Sequence, residues 1–111
     1  MGIFHVVMFG IDPSAQAADV QGLCDRMLSL KDKCVHPETK KPYIKTAMGG
    51  KENSPEDHSG GLTHIFISEF ENEADRKYYL EEDPAHLAFV NSVDKGIVTK
   101  LQVVDFTPGV F

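Results

Sequence analysis

Two stretches of this chain are apolar on both of their alternating faces. In residues 3–9, Ile3, His5, Val7 and Phe9 form one set and Phe4, Val6 and Met8 the other. In residues 62–70, Leu62, His64, Phe66, Ser68 and Phe70 alternate with Thr63, Ile65, Ile67 and Glu69. Period-two alternation predicts strands, and a strand with two apolar faces has to be covered on both sides. A single layer of helices covers one face only. The second face therefore needs a partner, and this constrains the architecture more than any other feature.

The elements between these strands set the class. Asp12 is positioned to cap a helix and Pro13 to open it, and a helix is predicted over residues 14–33. Val20, Leu23, Met27 and Leu30 mark its buried stripe, with Cys24 and Leu28 beside it. A polar turn over 35–42 leads to a short strand over 43–48. Residues 49–61 are rich in Gly, Ser, Asn, Asp and Pro and predict a loop. Gly49-Gly50-Lys51 lacks the spaced second glycine and following helix of a phosphate loop. Asn72 can cap a helix over 73–82 that turns Ala74, Tyr78 and Leu80 inward. Asp83-Pro84 then starts a second helical piece running to 95, and Gly96 ends it. A last strand over 97–106 precedes an apolar-ended tail.

The order is β-α-β-β-α-β with a broken second helix, which predicts a ferredoxin-like α+β fold: an antiparallel sheet with helices on one face. An apolar sheet face of several hundred Å² is rarely left in water, so a homodimer packed sheet to sheet is expected. The 111 residues suit one domain spanning 1–111.

A net charge of −6 argues against nucleic-acid and anionic-membrane partners. No apolar run approaches the ~20 residues that span a bilayer. Met1 to Met8 lacks the basic start and long apolar stretch of a signal peptide, so a cytoplasmic protein is expected. Cys24 and Cys34 lie ten residues apart near one helix, beyond disulfide reach, and are expected as free thiols.

The chemistry-bearing stretch is Asp83-Pro84-Ala85-His86-Leu87-Ala88-Phe89-Val90, preceded by Tyr78-Tyr79. His86 falls in the first turn of a helix, where the dipole disfavours an imidazolium, so a neutral ring is expected there. His5 and His64 share strand faces with large apolar residues and point between sheet and helices. Neutral imidazole, phenol and apolar walls suit proton abstraction next to a carbonyl. Equally, three buried histidines can simply satisfy one another. Three histidines can also hold zinc, but these lack a tight ligand spacing. No metal or cofactor is expected.

The chain resembles the stress-responsive A/B barrel (Dabb) family of dimeric α+β barrels. The matching stretches are Phe4-His5-Val6-Val7-Met8-Phe9, the loop from Gly49 to Glu56, Thr63-His64-Ile65-Phe66 with Glu69-Phe70-Glu71, Tyr78-Tyr79 through Val90, and Val103-Val104-Asp105-Phe106. Cys34-Val35-His36-Pro37 and the run from Asp105 to Phe111 look like the fungal branch. The resemblance implies a dimeric α+β barrel. It is distantly similar to the plant olivetolic acid cyclase, which closes a linear polyketide by aldol condensation. On that likeness His86 is the base and Tyr79 the phenol, although Leu80 occupies the strict alignment position. His5, His64, Phe66 and Phe89 line the substrate pocket, and all three histidines converge on it. Two functions stay open: an acid–base enzyme acting on a hydrophobic carbonyl compound, and a non-catalytic stress-response or small-ligand-binding dimer.

Overall fold

The computed structural model describes residues 2–111; Met1, the first residue of the stretch scanned for a signal segment, lies outside it. The elements run β1 (Ile3–Ile11), α1 (Ala17–Lys33), β2 (Ile44–Lys51), β3 (His64–Phe70), α2 (Glu73–Glu81), α3 (Pro84–Ser92) and β4 (Val98–Phe106). The strands form one antiparallel sheet in the order β2-β3-β1-β4. This is the expected ferredoxin-like α+β arrangement.

The two faces of the sheet differ sharply in cover. On β1, Ile3, His5, Val7, Phe9 and Ile11 are buried beneath the helices, with Phe66 and Phe70 of β3 next to them. Leu23, Met27 and Leu30 of α1 close over this face, as the helical spacing predicts. The opposite face carries Phe4, Val6, Met8, Ile65 and Ile67, all only half-buried. On it Phe4 stacks on Phe106 at 5.2 Å between centroids, and Met48 and Val104 are more than half exposed.

Several boundaries move for local reasons. α1 begins at Ala17, not at residue 14, because Asp12 closes a turn instead of capping the helix. Its Oδ1 accepts from the Ser14 backbone at 2.8 Å and from the Ser14 hydroxyl at 2.6 Å. β2 runs on through Gly49-Gly50-Lys51, which the composition assigns to a loop. These residues pair with Phe66, Ile65 and His64, and the Phe66 ring lies so close to Gly49 that a Cβ there would sit 2.3 Å from Phe66 Cδ1. The glycine is thus a strand residue that accommodates an aromatic neighbour.

α3 stops at Ser92, where Val93 turns extended and Asp94 starts a turn that receives the Gly96 and Ile97 amides. The inward face of α2 is also different from the expected one. Tyr79 is its buried residue, while Ala74 and Leu80 are exposed and Tyr78 packs at the margin. In α3 the buried residue is Phe89, and Leu87 and Val90 remain exposed. Cys24 and Cys34 are free thiols. No helix among the described residues is long and apolar enough to cross a membrane.

Candidate functional site

The geometry of α2 and α3 is set at Asp83. Its side chain is 1% exposed, and it caps α3 by accepting the Ala85 amide at 2.9 Å. Its second oxygen accepts from the Tyr43 hydroxyl at 2.5 Å, tying the helix junction to the start of β2. Cys34, fully buried, sits against this pair, and burial pushes its thiol up to about 12. Burial first, then the bond to Asp83, also raises the Tyr43 hydroxyl. All three are anchoring groups, and a thiol this reluctant to ionise is a poor nucleophile.

The anchored junction holds His86 over the ring of Tyr79, with centroids 3.8 Å apart and planes 25° from parallel. His86 Nδ1 lies 2.8 Å from the Tyr79 backbone oxygen. A carbonyl oxygen only accepts, so Nδ1 carries the hydrogen and Nε2 keeps the lone pair. Burial lowers the His86 pKa from its ordinary 6.5, with His5 adding to the effect, while the Tyr79 carbonyl and Asp83 oppose it. The ring is therefore neutral near pH 7, as its helical position predicts. Burial also raises the Tyr79 phenol, with Cys34 and Asp83 contributing, so it stays protonated.

Across the cavity, His5 is 4% exposed, and its Nδ1 is 2.7 Å from Asp105 Oδ1. Asp105 Oδ2 accepts from Arg76 Nη1 of α2 at 3.1 Å. The carboxylate again makes Nδ1 the donor and leaves Nε2 free. His5 and Asp105 are directly paired between β1 and β4. Neither Asp105 nor Arg76 was singled out from the sequence. One signal was available: Asp105 is a charge in phase with Leu101 and Val103, on the inward side of its strand.

Between these groups lies a cavity of about 430 Å³, lined by His5, Tyr79, His86 and Phe89 and walled by Val7, Phe9 and Met27. Its mouth is apolar, with Leu80, Val90, Leu101 and Val103 all substantially exposed. The three histidines do not converge. His64 points to the same side of the sheet but lines a separate hollow, with Phe66, on the far side of α1. It sits at the end of β3, whereas His5 sits well inside β1 beneath the helix junction.

A four-stranded antiparallel sheet with helices on one face and a histidine-bearing cavity between the layers defines a ferredoxin-like α+β protein. The chain belongs to the stress responsive A/B barrel domain family, whose model matches residues 3–108. A protein from Arabidopsis thaliana superposes with a TM-score of 0.80 at 26% identity, over 98% of this chain and 97% of that one. A hydroxynitrile lyase from Passiflora edulis superposes with a TM-score of 0.82 at 19% identity, over 99% and 96%. A dimeric ferredoxin-like protein of unknown function from Jannaschia gives 0.69 at 20%, over 96% and 99%. No curated protein matches the chain.

Proposed function

We propose that the chain is a one-domain homodimer whose His5–His86 cavity takes a small apolar carbonyl compound and catalyses acid–base chemistry on it, of the aldol ring-closing kind suggested by the likeness to olivetolic acid cyclase. The observation that carries this reading is the fixed tautomer of His86, which directs a neutral, basic Nε2 away from its backbone anchor. In the step, His86 Nε2 takes the proton from the carbon next to a carbonyl, and the C–H electron pair moves onto oxygen as an enolate. The protonated Tyr79 phenol donates to that oxygen, while His5, its Nδ1–H held by Asp105, lines the cavity beside it. The enolate carbon then attacks a second carbonyl of the same molecule, and the proton returns from His86 to the new alkoxide. Asp105 and Arg76 position His5, and Phe89 supplies wall. One structural neighbour is named a hydroxynitrile lyase, so the scaffold is compatible with an enzyme.

The test needs no knowledge of the substrate. Hydrogen–deuterium exchange next to the carbonyl of 2-heptanone, followed by NMR, is expected to run faster with the protein than in buffer. His86→Gln should remove about a hundredfold of that acceleration, the low end for a lost general base. Exchange no faster than in buffer sinks the enzymatic reading and leaves a dimer that binds a small apolar ligand.

The homodimer rests on the bare apolar sheet face and on the dimeric neighbours. Light scattering at low micromolar concentration should give twice the 12.3 kDa chain mass. A monomer would remove the sheet-to-sheet packing from the proposal.

A further inference from the structure

On the other side of α1, a hollow of about 590 Å³ lies over the end of the β2–β3 pair. Lys51 and His64 stand directly opposite each other across those two strands and both line it. Its wall is apolar, formed by Val20 and Leu28 of α1 and Phe66 of β3, with Cys24 among them. Phe66 and Phe9 meet edge to face at 5.9 Å, and this pair of rings separates the hollow from the His5–His86 cavity.

The groups around His64 are few. Its Nδ1 is held by Thr63 Oγ1 at 2.9 Å. Lys51 approaches from β2 and makes no ion pair with any described residue. Cys24 faces in from α1, its thiol raised by burial and so uncharged. Asp12 lines the rim from the turn before α1, with its Oδ1 already engaged by Ser14. The hollow thus presents one unpaired ammonium and one imidazole beside an apolar wall, in a chain of net charge −6.

We propose that this hollow binds a small amphipathic carboxylate, its oxygens between the Lys51 ammonium and the His64 imidazole and its alkyl chain along Val20 and Leu28. Two nitrogen donors match the two oxygens of one carboxylate, and the adjoining apolar wall matches an alkyl tail better than a compact, highly hydrated phosphate. Burial, and then Lys51, lower the His64 pKa from its ordinary 6.5, so the empty site holds a neutral ring near pH 7. A bound carboxylate favours the imidazolium. Binding therefore takes up a proton and tightens as pH falls.

Octanoate and its uncharged counterpart 1-octanol test the assignment on the intact protein, by calorimetry and amide NMR at about pH 5.5 and about pH 7.5, a window spanning the ordinary histidine value. Octanoate should shift the amides of Val20, Gly50 and Lys51 and bind about tenfold more tightly than octanol. Its affinity should rise several-fold at the lower pH. Lys51→Met, at an exposed position that leaves the fold intact, should bring octanoate down to the octanol level. His64→Gln should abolish the pH dependence. Equal affinity for the two probes, no effect of Lys51→Met, or shifts confined to His86 and Val103 would overturn the proposal. None of these readouts depends on turnover at His86.

Discussion

His5 and His64 lie on adjacent strands and on the same face of one sheet, yet they belong to two separate hollows. His5 sits inside β1, nearly closed from solvent, its tautomer set by Asp105 and that carboxylate held by Arg76. His64 sits at the first residue of β3, half-buried, beside a threonine hydroxyl and opposite an unpaired lysine. Strand phase decides which face a side chain points to. Position along the strand, and the helix lying above it, decide what it meets there. α1 and the Phe9–Phe66 pair cut the space under the helices in two, so one face supports two chemically distinct environments.

The strongest way to separate the two is to damage one anchor. Asp83→Ala removes the α3 cap and leaves the buried Tyr43 hydroxyl without its acceptor. The expected cost is about 3 kcal/mol, the sum of a lost cap and an unsatisfied buried group. That corresponds to a melting temperature lower by more than about 10 °C in a domain of this size. In NMR spectra the His86 ring signals should move and those of His64 should not. Equal movement would show that the hollows are mechanically one.

Gly49→Ala strikes from the other side. Its new Cβ meets the Phe66 ring and the Ile65 carbonyl, at 2.3 and 2.8 Å, so the partition must shift. About 2 kcal/mol of destabilisation is expected for overpacking of this kind, measured by urea unfolding. An unchanged midpoint would mean that Phe66 swings freely and the wall between the hollows is soft.

The smallest effect is with pH. The His86 pKa is below its unfolded value, because burial disfavours the charged ring. The unfolded state then binds more protons in the window just below pH 6.5, and stability must fall as pH drops through it. Above that value the ring is neutral in both states and contributes no slope. His86→Gln should flatten part of the acid-side decline in melting temperature; the remainder includes His64, which is shifted in the same direction. An unchanged decline in the variant would contradict the buried, neutral His86.

Much of the architecture was legible because periodicity is local. Alternation in residues 3–9 and 62–70 announced the two central strands, and the stripe of Leu23, Met27 and Leu30 announced the covering helix. Asp83-Pro84 announced the broken helix, since a capping carboxylate and a first-turn proline act within a few residues of chain. The glycines at 49 and 50 misled for a matching reason. Composition reports their flexibility, but their place in β2 comes from pairing with Phe66 and Ile65, residues far along the chain. The inward face of α2 misled likewise, because Tyr79 is chosen by the His86 ring that stacks on it.

The residues of this chain by themselves determined its strand and helix order, the ferredoxin-like class and the need to cover a second apolar sheet face. They also placed His86 in the first turn of a helix, since a helix start is a local object, but the lowered pKa of its ring comes chiefly from burial in the folded chain. Only the tertiary structure decided that Asp105 and Arg76 hold His5 and that Tyr43 and Cys34 brace Asp83. It also decided that His64 faces Lys51 and not His86. Each of those facts depends on strand register and helix packing between residues far apart in sequence, where the energy of a contact exists only after the chain has closed on itself.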